Sequence, residues 1–255
     1  MTKINVYGVD GSIKEKIELP EIFHTPYRPD IIRKSFNVLH SNKRQPYGAD
    51  PLAGTRHATA SAGKGRGLSR VPRLTQGRRA ALAPGTVGGR RAHPPKSERN
   101  WKEKINKKEK LLARNSALAA TADKELVSRR GHRFDENITL PVVIEDDFEK
   151  IKKTKEVINI FQKIGIYDDI IRSVEGRHIR AGRGKLRGRK YRVPKSILII
   201  STKKDVEKSS GNLSGVDVTQ PDQLNIEHLA PGGDAGRLTV FTKSALAKLG
   251  GIQEE

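Results

Sequence analysis

The sequence predicts an α/β domain with a mainly parallel sheet and helices on both faces, plus a long extended basic loop. Three observations carry this. Through residues 111–251, short apolar runs rich in β-branched residues alternate with segments of helical period. That order suits parallel strands joined by crossover helices. Residues 43–99 interrupt the chain with 9 Gly and 6 Pro in 57 residues and no sustained periodicity. Finally, the charge is partitioned. The 255-residue chain has a net charge of +21, of which residues 43–99 hold +11 and residues 176–195 hold +9. The expected organisation is a globular domain of residues 1–42 and 100–255, with residues 43–99 as the inserted loop.

The elements follow in order. Ile4–Val6 and Ile13–Ile17 alternate loosely with polar residues around Asp10-Gly11, a hairpin-type turn signal. Pro29-Asp30 opens a helix with Ile31, Ile32, Phe36 and Leu39 on one face. Asn106 and Glu109 read as an N-cap with its reciprocal acid, followed by Leu111, Leu118, Ala122 and Leu126 on one face until Arg129-Arg130-Gly131. Pro141–Ile144 is a buried strand. Asp146 and Glu149 are expected to cap a helix bearing Phe148, Ile151, Ile158 and Phe161, ended by Gly165. Ile166–Val174 reads as a short helix, Ser196–Ile200 as the clearest buried strand, and Val216–Val218 as a short one. Pro221–Leu229 looks helical and Leu238–Phe241 extended. Thr242 is the expected cap of a last helix, Lys243–Leu249.

Composition excludes several classes. There is no Cys, hence no disulfide framework or thiolate zinc site. No apolar run approaches the roughly 18 residues of a membrane helix, and Met-Thr-Lys-Ile-Asn-Val-Tyr is not a signal peptide. A soluble intracellular protein is expected. Enzyme motifs are missing. Gly63-Lys64 and Gly184-Lys185 lack the glycine and Ser/Thr of a phosphate-binding loop, and neither glycine cluster joins a strand to a following helix. The seven His do not sit at ligand spacing, so no metal or cofactor is expected. Asp146-Asp147 and Asp168-Asp169 are paired carboxylates, but each lies near a helix start, where compensation of the helix dipole explains it.

The basic segments point to a polyanion. Residues 43–99 hold thirteen Lys+Arg against Asp50 and Glu98, and residues 176–195 hold nine and no acid. Such density repels itself unless counter-charge is supplied. Arginine dominates, and its planar fork pairs with phosphate and stacks on bases. The candidate nucleic-acid-binding residues in the first segment are Arg44, Arg56, His57, Lys64, Arg66, Arg70, Arg73, Arg78, Arg79, Arg90, Arg91, His93 and Lys96. In the second they are Arg177, Arg183, Lys185, Arg187, Arg189, Lys190, Tyr191 and Arg192. Tyr47, Trp101 and Tyr191 suit either base stacking or local apolar anchoring. RNA is favoured over DNA, because an irregular Gly- and Pro-punctuated strand suits folded RNA and no recognition helix is present.

Five stretches carry a family resemblance: GKGRGLSRVPR at 63–73, RRAHPPK at 90–96, SALAATAD at 116–123, RGRKYRVP at 187–194 and HLAPGGDAGRLTVFTKSA at 228–245. Spread in order over nearly the whole chain, they resemble the universal large-subunit ribosomal protein four family, in its archaeal and eukaryotic branch. The resemblance implies no enzyme but a cytoplasmic, structural component of the large ribosomal subunit. It would bind large-subunit rRNA, aid early assembly and line part of the nascent-peptide exit tunnel. Its partners would be rRNA, neighbouring large-subunit proteins and the nascent polypeptide, with no membrane. The tunnel tip would comprise Lys64, Arg66, Leu68, Arg70 and Arg73. The resemblance makes all the candidates above rRNA-binding, with Arg56, Arg78, Arg79, Arg90, Arg91 and Lys96 as clamps along the two strands of the loop and Lys185, Arg187, Arg189, Lys190 and Arg192 as a second contact. Where the family tends to place bulky or polar residues before its glycine–arginine stretch, this chain has Ala60-Ser61-Ala62.

Overall fold

The order of elements begins with β1 (Lys3–Tyr7) and β2 (Ile13–Glu18), paired antiparallel across the Gly11 turn as expected. The computed structural model describes residues 3–251. After α1 (Pro29–Asn42) come β3 (Thr59–Ser61) and β4 (Pro72–Leu74). Then follow α2 (Lys107–Ala119), α3 (Lys124–Arg129), β5 (Val142–Ile144), α4 (Thr154–Ile164) and α5 (Tyr167–Glu175). The chain continues through β6 (His178–Ile179), β7 (Tyr191–Arg192), β8 (Leu198–Ile200), α6 (Asp205–Ser210) and β9 (Asp217–Thr219). It closes with α7 (Ile226–Leu229), β10 (Thr239–Thr242) and α8 (Lys243–Gly251). Two compact units result: residues up to His40 with those from Lys104 onward, and Ser41–Glu103.

The first unit is built on a six-stranded sheet in the order β2-β1-β5-β10-β8-β9, parallel except for β1–β2. Successive strand residues face opposite sides, so each strand feeds two cores. Val6, Val143, Leu198, Ile200 and Phe241 face a core completed by Ile32 of α1, Ala117 and Leu118 of α2, Leu229 of α7 and Leu246 of α8. Val142, Ile144, Ile199 and Val240 face the other, completed by Phe161 and Ile164 of α4, Ile170 of α5 and Val206 of α6. Helices thus cover both faces, as the alternating pattern predicts. The uninterrupted apolar letters of β5 and β8 have this cause, since both sides of each strand are buried.

Several elements differ from expectation. The face from Leu111 to Leu126 belongs to two helices. α2 stops at Ala119, Leu111 is exposed, and Asp123 starts α3 by accepting hydrogen bonds from the Glu125 and Leu126 amides. Asn106 does occupy the N-cap position of α2, but its side chain makes no capping bond. Asp146 and Glu149 lie in a 3-10 turn, Asp146–Lys150, and α4 begins only at Thr154. Asp146 instead accepts from the Ser244 amide in the first turn of α8. The Thr242 hydroxyl, expected to cap α8, donates to the buried Glu149. Pro221–Leu229 splits into a 3-10 turn, Pro221–Gln223, and α7.

Glu149 also receives the Thr202 amide and hydroxyl. It thereby ties together the carboxyl ends of β8 and β10, the side of an α/β sheet where small-molecule ligands characteristically bind. In this chain that edge is occupied by a satisfied structural carboxylate.

The second unit, Ser41–Glu103, differs from one long extended loop. It has no apolar core and folds through backbone turns and close approaches. β3 pairs antiparallel with β4, the Ala49 amide donates to the Pro95 carbonyl, and the Ala81 amide donates to the Pro72 carbonyl. Such contacts need small residues rather than periodic apolar ones, so hydrophobic patterning does not reveal them.

Candidate nucleic-acid interface

The second basic segment is a hairpin. β6 and β7 pair antiparallel, His178 opposite Arg192 and Ile179 opposite Tyr191. Between them, Arg183–Arg187 makes a 3-10 turn closed by the Arg189 amide on the Gly184 carbonyl. Arg180 fastens the two sides, its amide donating to the Lys190 carbonyl and its guanidinium to the Arg189 carbonyl. The backbone is therefore satisfied internally, while Arg177, Arg183, Lys185, Arg187, Arg189, Lys190 and Arg192 are all exposed. Tyr191 lies under cations, with the Arg177 guanidinium 4.3 Å and the Lys190 ammonium 5.5 Å from its ring centre. Leu186, at 81% exposure, crowns the turn without apolar cover.

The foot of the hairpin is held by a carboxylate that sequence reading assigned to a helix dipole. Asp169, in the first turn of α5, is fully buried. It meets His132 Nδ1 at 3.0 Å and accepts from Arg172 Nε at 2.8 Å and from the Ser196 hydroxyl at 2.7 Å. Arg172 in turn donates to the Lys195 carbonyl, and the Ser173 hydroxyl to the Pro194 carbonyl. Residues 194–196, which leave the hairpin, are thus bolted to α5. Gly215 completes the seat: its φ is +71°, and a Cβ there would lie 2.3 Å from the Pro194 carbonyl oxygen.

This cluster sets an acid response. Burial alone would raise the Asp169 carboxyl, but the bonds from His132, Arg172 and Ser196 hold it well below the ordinary carboxylate range. Burial lowers the His132 imidazole below its usual 6.5, against the opposing pull of Asp169. In both cases the unfolded chain binds a proton more readily than the folded one, so stability declines as pH falls. The His132 contribution is lost progressively below about 6.5, and that of Asp169 below about 4. Asp169→Asn is expected to cost about 3 kcal/mol at neutral pH and to flatten the fall below about pH 4. Urea midpoints measured across pH test this, and an unchanged acid limb would refute the assignment.

In the second unit the first-segment candidates are exposed, except Arg73, which is half-buried. Arg73 donates to the Arg78 carbonyl and the Ser69 hydroxyl, bracing the turn it was expected to present. Lys64, Arg66, Leu68 and Arg70 lie on the turn linking β3 to β4. Gly63, Gly65 and Gly67 there all have positive φ, a run of left-handed conformations that other residues resist. Arg56 pairs with Asp50. Arg44 and Arg99 stand 4.2 and 4.3 Å from the Trp101 ring centre, and Tyr47 stacks on Trp101 at 5.7 Å. Trp101 and Tyr47 are thus partners of each other and of arginines. His57, Arg78, Arg79, Arg90, Arg91, His93 and Lys96 present their side chains to solvent.

Among the described residues, no cluster of His, Asp and Glu is arranged to hold a metal ion, and no helix is long and apolar enough to cross a membrane. Sequence reading missed Arg237, whose side chain is fully buried. It donates to the carbonyls of Ser196, Ile197, Gly215 and His228 and pairs with Asp217 at 2.7 Å. The one available signal was a lone arginine amid apolar neighbours in Gly236–Phe241.

The globular unit thus carries exposed arginines on the β6–β7 hairpin, and the second unit carries them on the β3–β4 turn. The chain is similar to known proteins over nearly its whole length. A large ribosomal subunit protein uL4 of Methanosphaera stadtmanae is 49% identical over 253 residues, covering 99% of this chain and 98% of its own. Its counterpart in Methanocaldococcus jannaschii is 51% identical over 248 residues, covering 97% and 98%. That of Archaeoglobus fulgidus is 50% identical over 249, covering 97% and 98%. A family model described as the ribosomal protein L4/L1 family matches residues 17–252, and the chain belongs to that family.

Proposed function

We propose that this protein is a structural, non-catalytic component of the large subunit of the cytoplasmic ribosome, holding rRNA through two arginine-rich devices. The observation that carries this is the exposure of nearly every predicted cation on two turns whose backbones are internally satisfied. Fixed cations replace diffuse counterions around close-packed phosphates, and the released ions favour binding entropically. The closed carboxyl edge of the sheet argues against a nucleotide-modifying enzyme. The names of the relatives, all large-subunit proteins, support the same reading.

In this reading the β6–β7 hairpin clamps rRNA from the globular unit. Residues 43–99 carry the β3–β4 turn inward, where Lys64, Arg66, Leu68 and Arg70 face the nascent polypeptide at the tunnel wall. Early binding would neutralise phosphates during assembly and bring neighbouring proteins into place. Co-sedimentation with large subunits through a salt gradient tests the proposal. Retention at moderate salt supports it, and release at low salt without pelleting removes it.

The two devices separate by deletion. Because Ser61 pairs with Pro72, residues 62–71 can be replaced by a Gly-Asn turn. The helix signal in circular dichroism is expected to stay unchanged. The slope of log affinity for rRNA against log salt is expected to fall by about 2–3 for the three lost cations. Loss of helix would show that the turn supports the fold.

A further inference from the structure

The globular unit contains a basic cleft that the second arginine-rich segment borders but does not fill. Its volume is about 810 Å³, and it lies at the amino end of β8, opposite the edge closed by Glu149. Arg33 from α1, Arg129 and Arg130 at the end of α3, Arg172 from α5, Arg192 from β7 and Lys195 line it, with Asp234 as the lining acid. Asp234 is engaged by Arg33 at 3.0 Å, Arg172 by Asp169, and Lys195 by Asp217. Arg130 donates to the Pro231 carbonyl at 2.6 Å and to the Ala235 carbonyl at 3.5 Å, and no carboxylate among the described residues bonds it. Burial, with Arg237 and Arg172 nearby, pulls its guanidinium down to about 10. An anion in the cleft would relieve that. Arg129 and Arg192 are exposed beside it.

The wall is not uniformly charged. Tyr27, 43% exposed, lines it with Pro29, Val193, Pro194 and Pro231. We infer that the cleft takes a turn of single-stranded RNA, its phosphates on Arg129, Arg130 and Arg192 and one unstacked base on Tyr27. An aromatic ring beside arginines that make no ion pair among the described residues is the usual platform for single strands, whereas carboxylates do not stack on a ring as bases do. A stiff duplex cannot place a base there. Arg192 joins the cleft to the hairpin, so one strand can run from one to the other. This deepens the rRNA-binding reading and rests on it.

The test uses the full-length protein and a hexauridylate containing iodouridine, cross-linked by light and mapped by mass spectrometry. The expected result is an adduct on Tyr27. In Arg129→Gln its yield should fall about tenfold, the loss of one charge-assisted hydrogen bond, while adducts in the 43–99 peptides persist. Adducts confined to the basic segments, or removal of the Tyr27 adduct by a hexaglutamate peptide as readily as by unlabelled hexauridylate, overturn the cleft. The general reading stands in those cases if the protein still pellets with large subunits. Absence of any adduct together with failure to pellet overturns both.

Discussion

Replacing Arg237 with methionine is expected to lower the stability of the globular unit by about 3–5 kcal/mol, the loss typical when one partner of a buried ion pair is removed. Methionine fills a similar volume but donates nothing. Four carbonyls, from Ser196, Ile197, Gly215 and His228, lose a donor at once, and Asp217 loses its 2.7 Å partner. Burial draws the guanidinium's proton affinity down, while Asp217 restores part of it. The same arginine, with Lys195, outweighs burial at Asp217 and keeps that carboxyl below its ordinary range. Asp217→Asn should cost less, because Arg237 keeps its four carbonyl acceptors and the asparagine amide oxygen can still accept from it. Urea unfolding followed by circular dichroism reads the difference, and equal midpoints for Arg237→Met and the unsubstituted protein would discard the account. Arg237→Lys recovers only a fraction, since one ammonium cannot reach four carbonyls in the plane of a guanidinium fork.

That arginine also shows where a sequence stops being informative. β5, β8 and β10 are legible because strands buried on both faces become runs of apolar letters. The two cationic segments are legible because charge density needs no fold to be counted. Arg237 and Asp169 are not, since a charged letter reads the same in solvent and in a core. What distinguishes them is a partner 20 or 37 positions away, Asp217 for one and His132 for the other. The break between α2 and α3 was hidden for a different reason. Ala122 and Leu126 continue the apolar spacing of α2 although that helix ends at Ala119 and Asp123 starts a new one. The β6–β7 hairpin escaped because strands of two residues carry no period. The turns of Ser41–Glu103 escaped because they rest on backbone contacts between glycine, alanine and proline.

Affinity for large-subunit rRNA is expected to fall about 10³–10⁵-fold between low and moderate salt if 6–10 phosphates are contacted. The structure sets how that loss divides. Arg183, Arg187 and Arg189 project from a turn whose geometry is fixed by backbone bonds, not by their guanidinium groups. Changing all three to glutamine should therefore leave stability within about 0.5 kcal/mol and lower the salt slope by about 2–3. The weakening should be nearly uniform across RNA sequences, since phosphate contacts carry no base identity. Arg177 should behave differently. Its guanidinium covers Tyr191 at 4.3 Å, so its removal also uncovers a ring and changes stacking as well as charge. A triple variant with an unaltered slope would mean that these three arginines meet solvent rather than phosphate, and would shift the binding to the cations of residues 43–99 and the cleft beside Tyr27.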